Sequence, residues 1–154
     1  MAKPIASLYH KLSKLYWKIK KPRTLGIKAM ILDENKEKVL LVKHTYIDGW
    51  FLPGGGVKKF EKPLDALKRE LREELGFSFV SGELFGVYSN FSESKSDTVI
   101  VMTCCGTMSD NINSKEILDY DYFGLTDLPS DISPGTKRRI SEYISGQKQI
   151  IGEW

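Results

Sequence analysis

GGGVKKFEKPLDALKRELREELGF, residues 54–77, sets a glycine turn against four glutamates in one short segment. Pro53 fixes one backbone angle just before it. Gly54, Gly55 and Gly56 then allow conformations and close approaches that a side chain forbids, so a backbone carbonyl or amide can face a ligand. Proline suits the first helical position, Asp65 complements the positive end of a helix, and Gly76 is a natural stop, so the spacing predicts a helix over Pro63–Leu75. At roughly 100° per residue, Leu64, Leu67, Leu71 and Leu75 fall within an arc of about 80° that is expected to be buried. Glu70, Glu73 and Glu74 fill a neighbouring arc of about 100°, expected to be exposed.

Like charges three and four residues apart weaken an isolated helix by a few tenths of a kcal/mol each, so the acidic arc needs a cationic partner. Arg69 and Arg72 can supply part of it, as on a solvated face laced with ion pairs. A hard divalent cation is the other candidate, because carboxylates one turn apart beside a glycine-turn carbonyl offer the several oxygens it prefers. The helix alone leaves both readings open.

The whole segment resembles the Nudix box, G-x5-E-x7-R-E-U-x-E-E-x-G-U with U bulky and apolar: Gly55, Glu61, Arg69, Glu70, Leu71, Glu73, Glu74, Gly76 and Phe77 occupy every fixed position. With ordinary amino-acid usage a chance match in a chain this long has a probability on the order of 10⁻⁷, so the resemblance is specific. It implies a Nudix hydrolase, an enzyme that uses Mg²⁺ or Mn²⁺ to cleave a diphosphate linkage in a nucleoside diphosphate derivative. Two open positions depart from many relatives. Lys58 stands where an acid is frequent, and Phe60 replaces a glycine that often precedes the first glutamate. Lys58 and Lys59 are read as a solvated pair, with phosphate contact as the alternative.

The chain's 154 residues, 41% of them hydrophobic, suit one domain with a real core. The net charge of +3 is unevenly spread. Residues 1 to 23 carry seven Lys or Arg and no acid, leaving 16 basic against 20 acidic residues in a mildly acidic body. Cys104 and Cys105 are adjacent inside an apolar run, which argues against a disulfide framework and for a reducing, cytoplasmic compartment. No apolar run approaches the roughly 18 residues of a membrane span.

In residues 1–22, Ile5, Leu8, Leu12, Leu15, Tyr16 and Ile19 form one stripe with lysines elsewhere, predicting an extra amphipathic helix before a domain over 23–154. Packing on that domain or on a second copy, as a homodimer, is the favoured expectation. Peripheral contact of residues 1–21 with an anionic membrane is the alternative, and nucleic acid is not expected. Thr24 to Leu32 and Lys38 to His44 predict a hairpin about the polar turn Asp33–Lys36. His44 is read as structural or solvated rather than catalytic. Gly49-Trp50-x-Leu52-Pro53-Gly54-Gly55 resembles the Nudix family's usual approach to the box, which implies that Trp50 and Leu52 are packing residues and leaves Tyr46 the freer candidate to stack on a base. Phe77 to Val80, Glu83 to Tyr88 and Thr98 to Thr107 read as strands, and Glu116 to Phe123 resembles the Nudix family's closing strand. A polar loop, Asn90 to Asp97, is placed to cover the site. Pro134 to Ile144 reads as a helix with Ile140 and Ile144 inward, and Gly152-Glu153-Trp154 as a tail of no assigned use.

The resemblance implies an α/β fold, the Nudix α/β/α sandwich with a mixed sheet. It also implies roles: Glu70 and Glu74 as principal metal ligands, Glu73 and the Gly54 carbonyl completing the site, and Arg69 and Glu61 orienting it. Glu70 or Glu116 would be the general base. A (deoxy)nucleoside triphosphate is the preferred substrate and a nucleoside diphosphate sugar or alcohol the alternative. No proline occurs between Pro63 and Pro129, so the proline-bearing signatures of NADH- and ADP-ribose-cleaving relatives are missing. A non-catalytic nucleotide-sensing module would have lost box carboxylates, and none is lost. A membrane-docked enzyme acting on lipid-linked diphosphates rests on residues 1–21.

Overall fold

The computed structural model describes residues 23–91, 96–109 and 114–154. The N-terminal helix expected over residues 1–22, and residues 92–95 of the polar loop expected over the site, lie outside the described residues; the ends of that loop, Asn90 and Ser96–Asp97, belong to strands. Among the described residues, seven strands and two helices follow in order: β1 Arg23–Ile31, β2 Lys38–His44, β3 Trp50–Phe51, α1 Pro63–Leu75, β4 Phe77–Asn90, β5 Ser96–Met108, β6 Ile117–Gly124, α2 Pro134–Ile144 and β7 Ile150–Glu153.

The strands form a mixed four-stranded sheet, β1-β5-β4-β7, and a three-stranded sheet, β3-β2-β6. β1 lies parallel to β5, β5 antiparallel to β4, and β4 parallel to β7. β1 and β2 are buried on both faces. Ile27, Ala29, Ile31, Leu40 and Val42 pack with Ala66, Leu67, Leu71 and Leu75 of α1, while Met30, Val39 and Leu41 pack with Trp50, Leu52 and Ile140 of α2. Burial on both sides explains why these strands read as apolar runs rather than alternations, and it places sheet between helices as the α/β/α reading requires. Trp50 and Leu52 are packing residues as expected.

The predicted hairpin is only a turn. Asp33 binds it, its Oδ1 accepting from the Glu37 and Lys38 amides at 2.7 and 2.8 Å, but pairing stops at the single bridge Leu32–Val39. β1 and β2 then diverge into different sheets, which gives each strand two neighbours to bury against. The two strands expected over Phe77 to Tyr88 are one strand, because Ser81 and Gly82 pair with Cys105 and Cys104, and the register shifts at Phe79/Ser81 and Leu84/Gly86 take up only Val80 and Phe85 as bulges. The C-terminal tail is β7, pinned from outside its own sequence. Arg139 lies 3.8 Å over the Tyr88 ring, donates to the Glu153 carbonyl at 2.8 Å and faces Trp154 at 5.5 Å.

α1 begins at Pro63 and ends on Gly76, whose left-handed φ of 57° lets its N–H reach back to the Arg72 and Leu71 carbonyls. Two helix expectations need correction. Leu64 is 40% exposed because its turn projects past the core, and Glu74, expected outside, is only 4% exposed. In α2, Ile140 is inward and Ile144 is exposed.

Candidate active site

The glycine turn is laid along β1 like an added strand. The Ile27 and Ala29 amides donate to the Gly55 and Pro53 carbonyls at 2.9 Å, and the Val57 amide donates to the Leu25 carbonyl at 2.8 Å. The intervening Gly54 is therefore turned towards α1. Its φ is 117°, and a Cβ there would lie 2.4 Å from the Ile27 carbonyl oxygen, so only glycine fits. At Gly55 a Cβ would come within 2.6–2.8 Å of the Glu70 carboxyl group, so this glycine is what lets Glu70 lie against the turn.

One cation organises the carboxylates. Arg69 clasps Glu61 with two donors, Nε to Oε1 at 2.8 Å and Nη2 to Oε2 at 2.9 Å. Its Nη1 donates to Glu70 Oε1 at 2.6 Å and stands 3.5 Å from Glu73 Oε2, and Nη2 also donates to the Gly56 carbonyl at 3.1 Å. Arg69 hydrogen bonds, with the Lys58 amide second, hold the Glu61 carboxyl down at about 2, so it stays a charged strut. Phe60, beside it, is 96% exposed and sits at φ 65°, a conformation costly for any residue with a Cβ, which is the physical reason a glycine is usual there.

Glu74 is held differently. Its Oε2 accepts from the Gly54 amide at 2.8 Å, and burial pushes its pKa up to about 7 against the opposing pull of Lys28. A carboxylate kept dry in this way ionises readily only when a further cation arrives. Lys28, which the sequence reading passed over, sits on β1 with its Nζ donating to the Gly54 carbonyl at 2.5 Å. Burial lowers its pKa, while the Glu74 and Glu70 charges hold it up. The signal for it was present in the sequence as a lone lysine inside the apolar run Gly26–Leu32.

Glu116 lies just before β6 with its carbonyl accepting from the Thr45 amide at 2.9 Å, and its charge acts on both Glu74 and Tyr46. Tyr46 is 51% exposed and is pushed up to about 12, first by burial of its hydroxyl and then by Glu116, Glu74 and Glu70. His44 is buried beside it, with ring centroids 5.1 Å from Tyr46 and 5.7 Å from Phe51. Desolvation, with the Lys28 charge second, lowers its pKa to about 4, so it is neutral at pH 7. Lys58 and Lys59 are exposed.

Gly54, Glu61, Arg69, Glu70, Glu73 and Glu74 are thus brought together, with Glu116 across from Glu74. Among the described residues no three Asp, Glu, His or Cys side chains converge as a preformed metal cage. A hard divalent cation needs no such cage when it keeps waters and is held by one or two carboxylates plus substrate phosphates. All-oxygen donors and a desolvated, incompletely neutralised Glu74 fit such a cation.

The chain belongs to the NUDIX domain family, whose model matches residues 22–143. Among curated proteins it is 37% identical over 78 residues to diphosphoinositol polyphosphate phosphohydrolase 2 of Rattus norvegicus, a match covering 50% of this chain and 44% of that protein. It is 48% identical over 51 residues to RNA pyrophosphohydrolase of Ruthia magnifica subsp. Calyptogena magnifica, covering 33% of this chain and 28% of that protein. The alignments therefore span less than half the length of these relatives. Among solved structures, a MutT protein from Methanosarcina mazei Go1 superposes with a TM-score of 0.70 at 25% identity, over 82% of this chain and 96% of that one. A UDP-X diphosphatase superposes with a TM-score of 0.64 at 21% identity, over 94% of this chain and 75% of that one, a likeness of fold alone. No helix among the described residues is long and apolar enough to cross a membrane.

Proposed function

We propose that this chain is a Nudix hydrolase that cleaves a diphosphate linkage by attack of water on phosphorus, with a nucleoside or deoxynucleoside triphosphate as the preferred substrate. The observation that carries the reading is the buried Glu74 on the Gly54 amide, raised to about 7 and set beside a Glu70 that Arg69 fixes at 2.6 Å. Glu70, Glu74 and Glu73 would hold Mg²⁺ or Mn²⁺, with the Gly54 carbonyl as a further donor where it is free. A divalent cation bound there neutralises charge on the diphosphate and lowers the pKa of a bound water. Arg69 and Glu61 keep the Glu70 carboxylate in one orientation on Gly55, so positioning is built before substrate arrives. Glu70 or Glu116 takes the proton from the attacking water. Tyr46, half-exposed at the rim, stacks on the substrate's base.

A second reading follows from the relatives. Diphosphoinositol polyphosphate phosphohydrolase 2 and RNA pyrophosphohydrolase extend the substrate panel to phosphate-rich diphosphates and 5′-phosphorylated RNA, and Lys58 and Lys59 at the exposed rim favour phosphate-dense ligands. The test is a product-separation screen with Mg²⁺ and Mn²⁺. Its panel holds nucleoside triphosphates, nucleoside diphosphate sugars and alcohols, a diphosphoinositol polyphosphate and 5′-triphosphorylated RNA. Preferred turnover of a nucleoside triphosphate supports the first reading, and turnover confined to the last two compounds replaces it with the second.

A further inference from the structure

Lys28 belongs to none of the fixed positions of the box, yet its ammonium stands at the Gly54 carbonyl. The backbone explains why it is held there. Ile27 and Ala29 on either side are locked to the turn by 2.9 Å hydrogen bonds, and a Cβ on Gly54 would lie 3.1 Å from the Lys28 Cα. The side chain therefore starts beside Gly54 and folds back onto its carbonyl, with Glu74 and Glu70 as its anionic neighbours. Once an arriving divalent ion displaces the proton from Glu74, the carboxylates of Glu61, Glu70, Glu73 and Glu74 carry four negative charges, and Arg69 and Lys28 offset two of them. The remaining pair is what one divalent ion neutralises.

We propose that Lys28 is a resident cation of the site: its ammonium keeps the Gly54 carbonyl that a metal ion would otherwise take, so the protein works with one divalent ion fewer than its carboxylates would hold. The inference rests on the hydrolase reading and changes its ligand set, since the Gly54 carbonyl then serves Lys28 and the metal is left to the glutamates. It also leaves a fixed positive charge beside the bound diphosphate, where it can meet a phosphate oxygen.

Mn²⁺ binding to the full chain, followed by calorimetry and by electron paramagnetic resonance, tests the count without relying on turnover. Wild type and Lys28→Arg are expected to bind the same number of ions, and Lys28→Met one more. An equal count in wild type and Lys28→Met overturns the proposal and reduces Lys28 to a pin for the turn. A second measurement needs no variant: nuclear magnetic resonance of the wild type titrated with Mg²⁺. The Glu74 side-chain carboxyl signal should move, while the Lys28 ammonium and Gly54 carbonyl signals keep their metal-free positions. Movement of the latter two would show that the metal displaces Lys28, against the proposal. Wild type that binds neither ion would instead sink the hydrolase reading beneath it.

Discussion

Replacing Glu74 with glutamine keeps the side chain's shape, and the amide oxygen can still accept from the Gly54 N–H, but the charge is gone. In the folded chain this carboxyl ionises near pH 7, against about 4.5 in an unfolded chain, chiefly because it is buried. The folded state therefore binds the proton more tightly. Between pH 4.5 and 7 it carries more protons than the unfolded state, so stability contributed by Glu74 is full below 4.5 and is lost as pH rises through 7. At about 1.4 kcal/mol for each tenfold change in proton affinity, the loss levels off at about 3 kcal/mol above pH 8. Lys28 loses an attractive neighbour in the variant, so this figure is a ceiling. For a chain of this size it corresponds to about 6–12 °C in melting temperature. Thermal unfolding of both proteins in chelator, from pH 4.5 to 8.5, should give similar midpoints at the acid end and a more stable Glu74→Gln protein at the alkaline end. Mg²⁺ should then raise the wild type alone, and the variant should have lost most turnover. Parallel stability curves across the range would refute the argument, because they would mean that Glu74 titrates as an ordinary surface carboxyl.

Gly55→Ala places a Cβ against the Glu70 carboxyl group and should cut turnover at least tenfold while costing about 1–3 kcal/mol of stability; kinetics and urea unfolding decide it. Phe60→Gly should raise stability by about 1 kcal/mol by removing a Cβ at φ 65°, read as a shift in the urea midpoint with an unchanged slope. His44, with a folded pKa near 4 against 6.5 unfolded, contributes stability that is full above 6.5 and falls as pH drops towards 4. That contribution is about 3 kcal/mol, and the corresponding slope should disappear in His44→Leu.

The box was legible because each of its residues answers a local demand: Pro63 and Gly76 bound the helix, and Leu67, Leu71 and Leu75 share one stripe. Glu74 was misjudged because helical angle alone cannot tell the edge of a buried face from its centre. Here the glycine turn folds over that edge and takes Glu74 inside. β7 was missed because Ile150–Glu153 has too few residues for a period, and what makes it a strand is β4 on one side and Arg139 beneath Trp154. The hairpin was overextended because runs buried on both faces do not reveal which neighbour each strand pairs with. Lys28 escaped notice for the same reason, since its partner is a backbone carbonyl 26 residues away.

The central claim is that water attacks phosphorus at a site made by Glu70 and Glu74. It is met most directly by running the reaction on the best substrate of the panel in ¹⁸O-labelled water, with Mg²⁺ and with chelator, and weighing the products. One labelled oxygen on a phosphate product, appearing with Mg²⁺ and not with chelator, is the predicted result. Label on the sugar or alcohol carbon, or equal turnover in chelator, would contradict it.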